Sequence, residues 1–205
     1  LIPFVFNASQ TYALEFSGYP AYMRVIKNGA YVYETGKTIS GITKANPAVV
    51  TCTSHGFSDG DDILVQGVVG MTQVNGGLFK VYAKTTHTFQ LSNISGIVDS
   101  SNFAAYSSGG TASTPYQITS PYAYSDLSEI RYSQSADVLI LTHDAYPIYQ
   151  LSRTADDAWT FALYATDNLT PPTFVSGTPG LPALTASGAI SYIHGQLTFT
   201  GQNNS

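Results

Sequence analysis

NGAYVYETGKTISGITKANPAVVTCT, residues 28–53, decides how this chain must be divided. Asn28-Gly29 stands between two β-rich runs, YMRVIK and AYVYE. Asn-Gly accepts the positive φ angles of a type I′ turn, so a hairpin is predicted there. A second set of short strands then begins, before Tyr33 has found its partners. Upstream, TYALEF alternates, with Tyr12, Leu14 and Phe16 on one face and Ala13 and Glu15 on the other, as a half-buried strand requires. Downstream, PAVVTCT, DILVQGV, LFKVYAK and TFQLS read as strands, and HGFSDGDD, MTQVNGG and TTH as the turns between them. YSSGGTAS is expected to close this unit as a flexible run of small residues.

The first pattern resumes after it. PYQITSPY is extended, with Pro115 and Pro121 at its edges. SDLSEIRYSQ predicts the one helix, near 126–132, with Asp126 as its cap and Glu129 three residues on, as in a capping box. DVLILTH reads as a buried strand, and PIYQLSRTADDAWTFALY as a second hairpin in which Trp159, Phe161 and Leu163 alternate. The expected fold is all-β: a sandwich- or barrel-like domain built from 1–38 and 115–165, with a small β-barrel, 39–114, inserted into it. A Pro/Gly-rich linker, 166–188, and the start of a further segment, 189–205, complete the division. Insertion at an exposed loop is physically easy, because loop-closure entropy rises slowly with length.

Composition narrows the function. Of the 205 residues 10% are charged and the net charge is −5, with no Lys/Arg run, which leaves no electrostatic footprint for nucleic-acid binding. The 15 Tyr residues suit half-buried pleated surfaces. A single cysteine excludes an intrachain disulfide. No apolar run approaches the roughly 20 residues that span a bilayer, and the opening LIPFVFN lacks the basic region of a signal peptide. The chain does not begin with Met and stops at GQNNS, so a fragment of a longer polypeptide is expected. Sequons start at Asn7, Asn93, Asn168 and Asn203 and are read as chance in a chain rich in Asn, Ser and Thr.

Several residues are candidates for chemistry. Cys52 and His55 are three apart, and in a strand such residues face opposite ways, so a buried Cys and a turn His outweigh a nucleophile and its base. Asp59, Asp61 and Asp62 offer oxygen ligands but lack the twelve-residue calcium-loop spacing; turn chemistry is favoured. His55, His87, His143 and His194 show no zinc-ligand spacing. Asp137, Asp144, Asp156 and Asp157 surround the second hairpin with Arg153. They are weak candidates for a carboxylate pair, and Arg153 is expected to pair with a carboxylate that holds the hairpin. No nucleophile elbow, P-loop or dinucleotide fingerprint occurs. The expectation is a non-enzyme with no catalytic, cofactor or metal residues.

Two stretches resemble known families. LIPFVFNASQTYALEFSGYPAYMRVIKNG and the pattern PY...DL..I.Y.QSAD......H..YP...L.R.....W are similar to the tail nozzle (tail tubular protein B) of short-tailed phages. The pattern is carried by Pro121, Tyr122, Asp126, Leu127, Ile130, Tyr132, Gln134, Ser135, Ala136, Asp137, His143, Tyr146, Pro147, Leu151, Arg153 and Trp159. SYIHGQLTFTG resembles the start of the next segment of such proteins, departing from it at Gly195-Gln196, where a basic residue would precede the leucine. The insert resembles the first catalytic cysteine half-domain of ubiquitin-activating enzymes, which implies a fold and no ubiquitin chemistry at Cys52.

The resemblance implies a virion protein that assembles into a sixfold ring with copies of itself and with neighbouring tail or portal-adaptor proteins, with DNA only as transiting cargo. The alternative is a host-binding adhesin or receptor-binding module, carried by residues around Met71 to Gly77 of the insert. A cell-wall hydrolase resting on Asp137 or Asp156 is the third reading.

Overall fold

A computed structural model describes residues 1–165 and, beyond them, the short strands Ser191–Ile193 and Gln196–Thr198. The linker call at 166–188 lies outside the described residues. Among the described residues the regular structure is mostly strand, with no long helix.

The outer unit opens with β1 (Ile2–Asn7), β2 (Gln10–Gly18), β3 (Ala21–Lys27) and the short β4 (Ala30–Tyr31). Asn28 and Gly29 have φ of 53° and 81°, the left-handed pair that a type I′ turn demands, and β4 folds back on β3. The inserted unit follows as β5 (Lys37–Thr38), β6 (Gly41–Ile42), β7 (Val49–Thr51), β8 (Asp62–Val69), β9 (Gly77–Tyr82), β10 (Thr88–Asn93), β11 (Gly96–Ile97) and β12 (Ser108–Ser113). The outer unit resumes with β13 (Gln117–Thr119), β14 (Arg131–Ser135), β15 (Val138–His143), β16 (Tyr146–Ala155) and β17 (Ala158–Leu163). Ser191–Ile193 and Gln196–Thr198 are β18 and β19, an antiparallel pair.

In the outer unit two antiparallel sheets face each other. One has the order β1-β2-β3-β13, with β4 beside β3; the other is β14-β15-β16-β17. Alternation places Phe4, Leu14, Met23 and Val25 of the first sheet against Leu139, Leu141, Leu151 and Trp159 of the second, all buried. DVLILTH conceals its alternation: Leu139 and Leu141 point inward, while Val138 and Ile140 are apolar yet half-buried on the other face.

Both seams between the sheets are closed by one side chain each. The Gln134 amide on β14 accepts from Val5 N–H (2.9 Å) and donates to Val5 C=O (2.6 Å), occupying the edge of β1 as a further strand would. At the opposite seam Tyr116, just before β13, accepts through its hydroxyl from the backbone N–H of Trp159 on edge strand β17 (2.9 Å).

The inserted unit is one curled sheet of order β5-β12-β8-β9-β10-β7-β6, with β11 beside β10. Its two end strands are consecutive in the chain. Ile39 N–H bonds Gly110 C=O and the next residue, Ser40, bonds Thr51 C=O. One peptide step therefore crosses from one edge of the sheet to the other, and the sheet has to curl into a barrel-like shape. Its interior holds Ile63, Val65, Met71, Val74, Phe89 and Leu91, all buried.

Two sequence expectations are corrected. YSSGGTAS is not a flexible closing run: β12 is paired on both sides, with β5 and β8. Gly109 and Gly110 take φ of 70° and 99°, so the small residues serve a kink within a central strand. The helix near 126–132 is a single 3₁₀ turn, Tyr124–Asp126, and residues 131–135 are strand β14. The Asp126 carboxylate does not cap it. It accepts from the Tyr146 hydroxyl (2.6 Å), whose oxygen accepts in turn from Ala123 N–H (3.1 Å). A tertiary partner has displaced the local capping box.

Candidate functional site

Cys52 and His55 are not joined. Cys52 follows β7, is fully buried in the core of the inserted unit, and burial pushes its thiol up, which makes the reactive thiolate scarce. His55 is also buried. Its Nδ1 accepts from Phe57 N–H (3.0 Å), so Nε2 carries the proton and donates to Thr85 C=O (3.0 Å). The ring lies 5.1 Å from those of Phe57 and Phe89. This neutral imidazole pins two loops and has no nitrogen left to act as a base.

The acidic run 59–62 has three unrelated tasks. Asp59 accepts from Lys84 N–H (2.9 Å), tying two loops together, and Asp61 from Ser58 N–H (2.7 Å), closing a turn. Asp62 pairs with Lys80 (2.6 Å) and, across to the outer unit, with Arg24 (3.2 Å). Burial works to raise the Asp62 carboxyl, but the hydrogen bonds and charges of Lys80 and Arg24 outweigh it and hold it below the usual range. Among the described residues no group of three or more His, Cys, Asp or Glu is placed to hold a metal ion. His87 accepts from Ser54 N–H through Nδ1 (3.1 Å), His143 from Ala145 N–H (3.0 Å), and His194 lies outside the described residues.

The densest polar cluster sits where the second hairpin meets the first sheet. Asp156, in the β16–β17 turn, takes Lys27 on one oxygen (2.6 Å) and Arg153 (2.8 Å) and the Tyr12 hydroxyl on the other. Arg153 also donates to Tyr12 (2.8 Å) and lies 4.2 Å over the Phe6 ring. Asp137 supplies its backbone carbonyl to Arg153 N–H (3.2 Å); Asp144 and Asp157 lie in the turns on either side of β16. The cluster therefore brings one carboxylate, Asp156, among two cations and a phenol. It is the brace expected of Arg153, with Tyr12 and Lys27 as members that spacing along the chain could not reveal.

Lys27, Tyr12 and Arg153, in that order, hold the Asp156 carboxyl well below the ordinary carboxylate range. A carboxyl depressed on folding stabilises the fold above its unfolded pKa of about 4 and loses that contribution as pH falls toward the folded value. The thermal midpoint is expected to drop between pH 5 and pH 3. Asp156→Asn should be less stable at pH 7, by about 1 kcal/mol for so solvent-screened a group, and should show a shallower acid drop. Parallel midpoint-against-pH curves for the two proteins would rule the brace out.

Four members of the pattern between residues 121 and 159 make inward contacts, Asp126 with Tyr146, Gln134 with Val5, Arg153 with Tyr12 and Asp156, and Trp159 Nε1 with Asp156 C=O (2.9 Å), while Tyr132 and Ser135 stay exposed. Tyr122 is fully buried, and its hydroxyl is pushed up to about 12 by burial and by Tyr149 and Tyr146. In the Met71–Gly77 stretch expected to carry a binding loop, Thr72, Gln73, Asn75 and Gly76 are exposed, while the apolar members face the core. Met71 and Val74 are core residues, and the Asn75 amide clamps Val68, accepting from its N–H and donating to its C=O (2.8 Å each).

An open polar groove of about 350 Å³ lies between the two units, lined by Tyr22, Arg24, Glu34, Asp62, Lys80 and Gln117. Among the described residues no helix is long and apolar enough to cross a membrane.

Comparison with known proteins finds a match for the inserted unit. Residues 45–114 fit the family described as the ubiquitin-activating enzyme E1 FCCH domain. Ubiquitin-like modifier-activating enzyme 1 of Oryctolagus cuniculus is 39% identical over 79 residues, and that of Homo sapiens 38% over the same length. The Rattus norvegicus protein is 39% identical. Each alignment covers 37% of this chain and 7% of the relative, so the chain spans only a small part of the curated proteins it matches.

Proposed function

We propose that this chain is a structural virion protein of a phage tail, a nozzle, tube or hub component, which works by subunit assembly and not by catalysis. The reading rests on the resemblance of the sixteen-residue pattern from Pro121 to Trp159 to that of tail nozzle proteins, together with the use its side chains are put to. Asp126, Gln134, Arg153 and Trp159 brace strands against one another, so the residues that could have furnished a catalytic cleft build the scaffold instead. A braced β-framework suits a part that must hold its shape in a ring of copies, sixfold by analogy, next to other tail or portal-adaptor proteins. The sparse, net-negative charge suits a channel wall that DNA slides past.

The activity of the ubiquitin-activating relatives is not carried over. The match is confined to the FCCH segment, and the one cysteine within it is enclosed in a core. A second reading, a host-binding module, is favoured by one observation: Leu78, Tyr82 and Ile94 stand exposed on the inserted unit.

Immunogold electron microscopy of particles from the source culture, with an antibody against residues 39–114, separates the two. Gold clustered at one end of capsid-bearing particles supports a tail component. Gold on bacterial cells, or on no particle, removes that reading and brings the binding module forward.

A further inference from the structure

The two units meet in a way that differs from the rest of the molecule. Their buried clusters have no residue in common: one draws on residues 39–112, the other on residues 2–25 and 116–159. The chain passes between them twice, and the passages are paired. Tyr33 bridges Pro115, Glu34 N–H bonds Thr114 C=O (2.9 Å), and Lys37 and Thr38 pair with Ala112 and Thr111. Gly36 lets them run close, since a Cβ there would come within 2.8 Å of Thr111 and Ser113 side-chain atoms. This two-stranded stalk is narrow, and the polar groove lies beside it.

Across that groove Arg24 of β3 reaches Asp62 of β8 at 3.2 Å. Each partner is equipped for both the joined and the parted state. Arg24 is already aimed: Gln117 Oε1 accepts from its Nε (3.1 Å), and its guanidinium stacks 4.4 Å over Tyr22. Asp62 keeps Lys80 of its own unit at 2.6 Å. Parting the pair therefore leaves neither charge without a partner, unlike the breaking of a buried salt bridge, which strands one ion. No shared apolar core opposes the parting.

We propose that Arg24–Asp62 is a releasable latch that fixes the angle of the inserted unit on its stalk, and that its release lets that unit swing across the groove. The latch is electrostatic and part-exposed, so added salt opens it. Glu34 lines the same groove as a carboxylate that Arg24 can approach when Asp62 leaves.

The test is double electron–electron resonance on the whole chain, with spin labels at Ile94→Cys and Leu163→Cys, both exposed positions, one in each unit. Cys52 is buried and stays unlabelled. The latched protein should give one narrow distance distribution at low salt. The distribution should broaden at least about twofold in 1 M NaCl, where the Debye length is about 3 Å, and equally in Arg24→Gln and in Asp62→Asn without salt. Unchanged tryptophan emission and Cys52 protection confirm that both units stay folded. A distribution that is broad in the parent at low salt, or equally narrow in the variants and in high salt, overturns the latch.

Discussion

Trp159→Ala is expected to unfold the outer unit at temperatures where the parent is folded, at a cost of about 3–5 kcal/mol. Trp159 is 4% exposed and stands edge-on to Phe4 (centroids 4.8 Å apart) and Tyr12 (5.6 Å) at the point where the two sheets meet. Aromatic pairs of this geometry add about 0.5–1.5 kcal/mol beyond the area they bury. Removing the indole empties the space under Phe4 and also deletes the Nε1–H bond that anchors the Asp156 turn. Asp156 holds the Lys27, Tyr12 and Arg153 brace, so the loss extends beyond the cavity. A domain stable by about 5–15 kcal/mol should lose well over 10 °C of midpoint, followed by circular dichroism. A shift of only a degree or two would show that the two sheets do not share this core. The inserted unit has its own core, so Cys52 should stay as protected in the variant as in the parent.

Gly70→Ala is the corresponding break in the inserted unit. Gly70 directly follows β8 with φ of +90°, a conformation that costs a residue with a side chain about 1–3 kcal/mol. A Cβ would also lie 2.2 Å from Ala105 C=O and 2.8 Å from Ser107 N. Those are backbone atoms, so nothing flexible can give way, and Ser107 N–H is already committed to Val69 C=O (2.9 Å). Parting the two segments unzips the β8–β12 pairing where it begins, at Ser108 and Val69. Overpacking of this kind adds about 1–3 kcal/mol. Cys52 reports the result. Its thiol, enclosed and raised by burial, should react with a disulfide reagent more than about tenfold faster, because local opening becomes more populated. An unchanged rate would mean that β8 and β12 part without disturbing the barrel.

Much of this architecture is legible in the chain, and its limits are physical. The Asn28-Gly29 hairpin, the alternation through Tyr12 and Leu14, and the strand in DVLILTH are local signals, fixed by turn stereochemistry and by the period of a pleated strand. The all-β class follows from them. YSSGGTAS misleads because Gly and Ser normally loosen a chain; here Gly109 and Gly110 are needed for a kink that only pairing with β8 makes visible. SDLSEIRYSQ carries real helix signals, but Asp126 finds a tyrosine from β16, twenty residues on, and the helix stops after one turn. The site residues divide in the same way. That Arg153 pairs with a nearby carboxylate is a local expectation; that the partner is Asp156 comes from the turn geometry. Gln134 with Val5 and Arg24 with Asp62 join residues 129 and 38 positions apart, and nothing in the spacing of either pair marks them as partners. Met71 to Gly77 reads as a loop open to solvent; the structure keeps Thr72 and Gln73 exposed and adds what spacing could not show, Met71 and Val74 in the core and the Asn75 amide on Val68.

The paired passages between the units also determine how the molecule bears load. Both strands of the stalk leave the outer unit side by side, so a tug on the inserted unit stretches them in the same direction. Tension divides between two covalent backbones, and neither strand is made to slide past the other, so the bond from Glu34 to Thr114 is spared from shear. A sideways push is resisted off the axis of the stalk, by Arg24 on Asp62. The joint is therefore stiff to traction and compliant to torque.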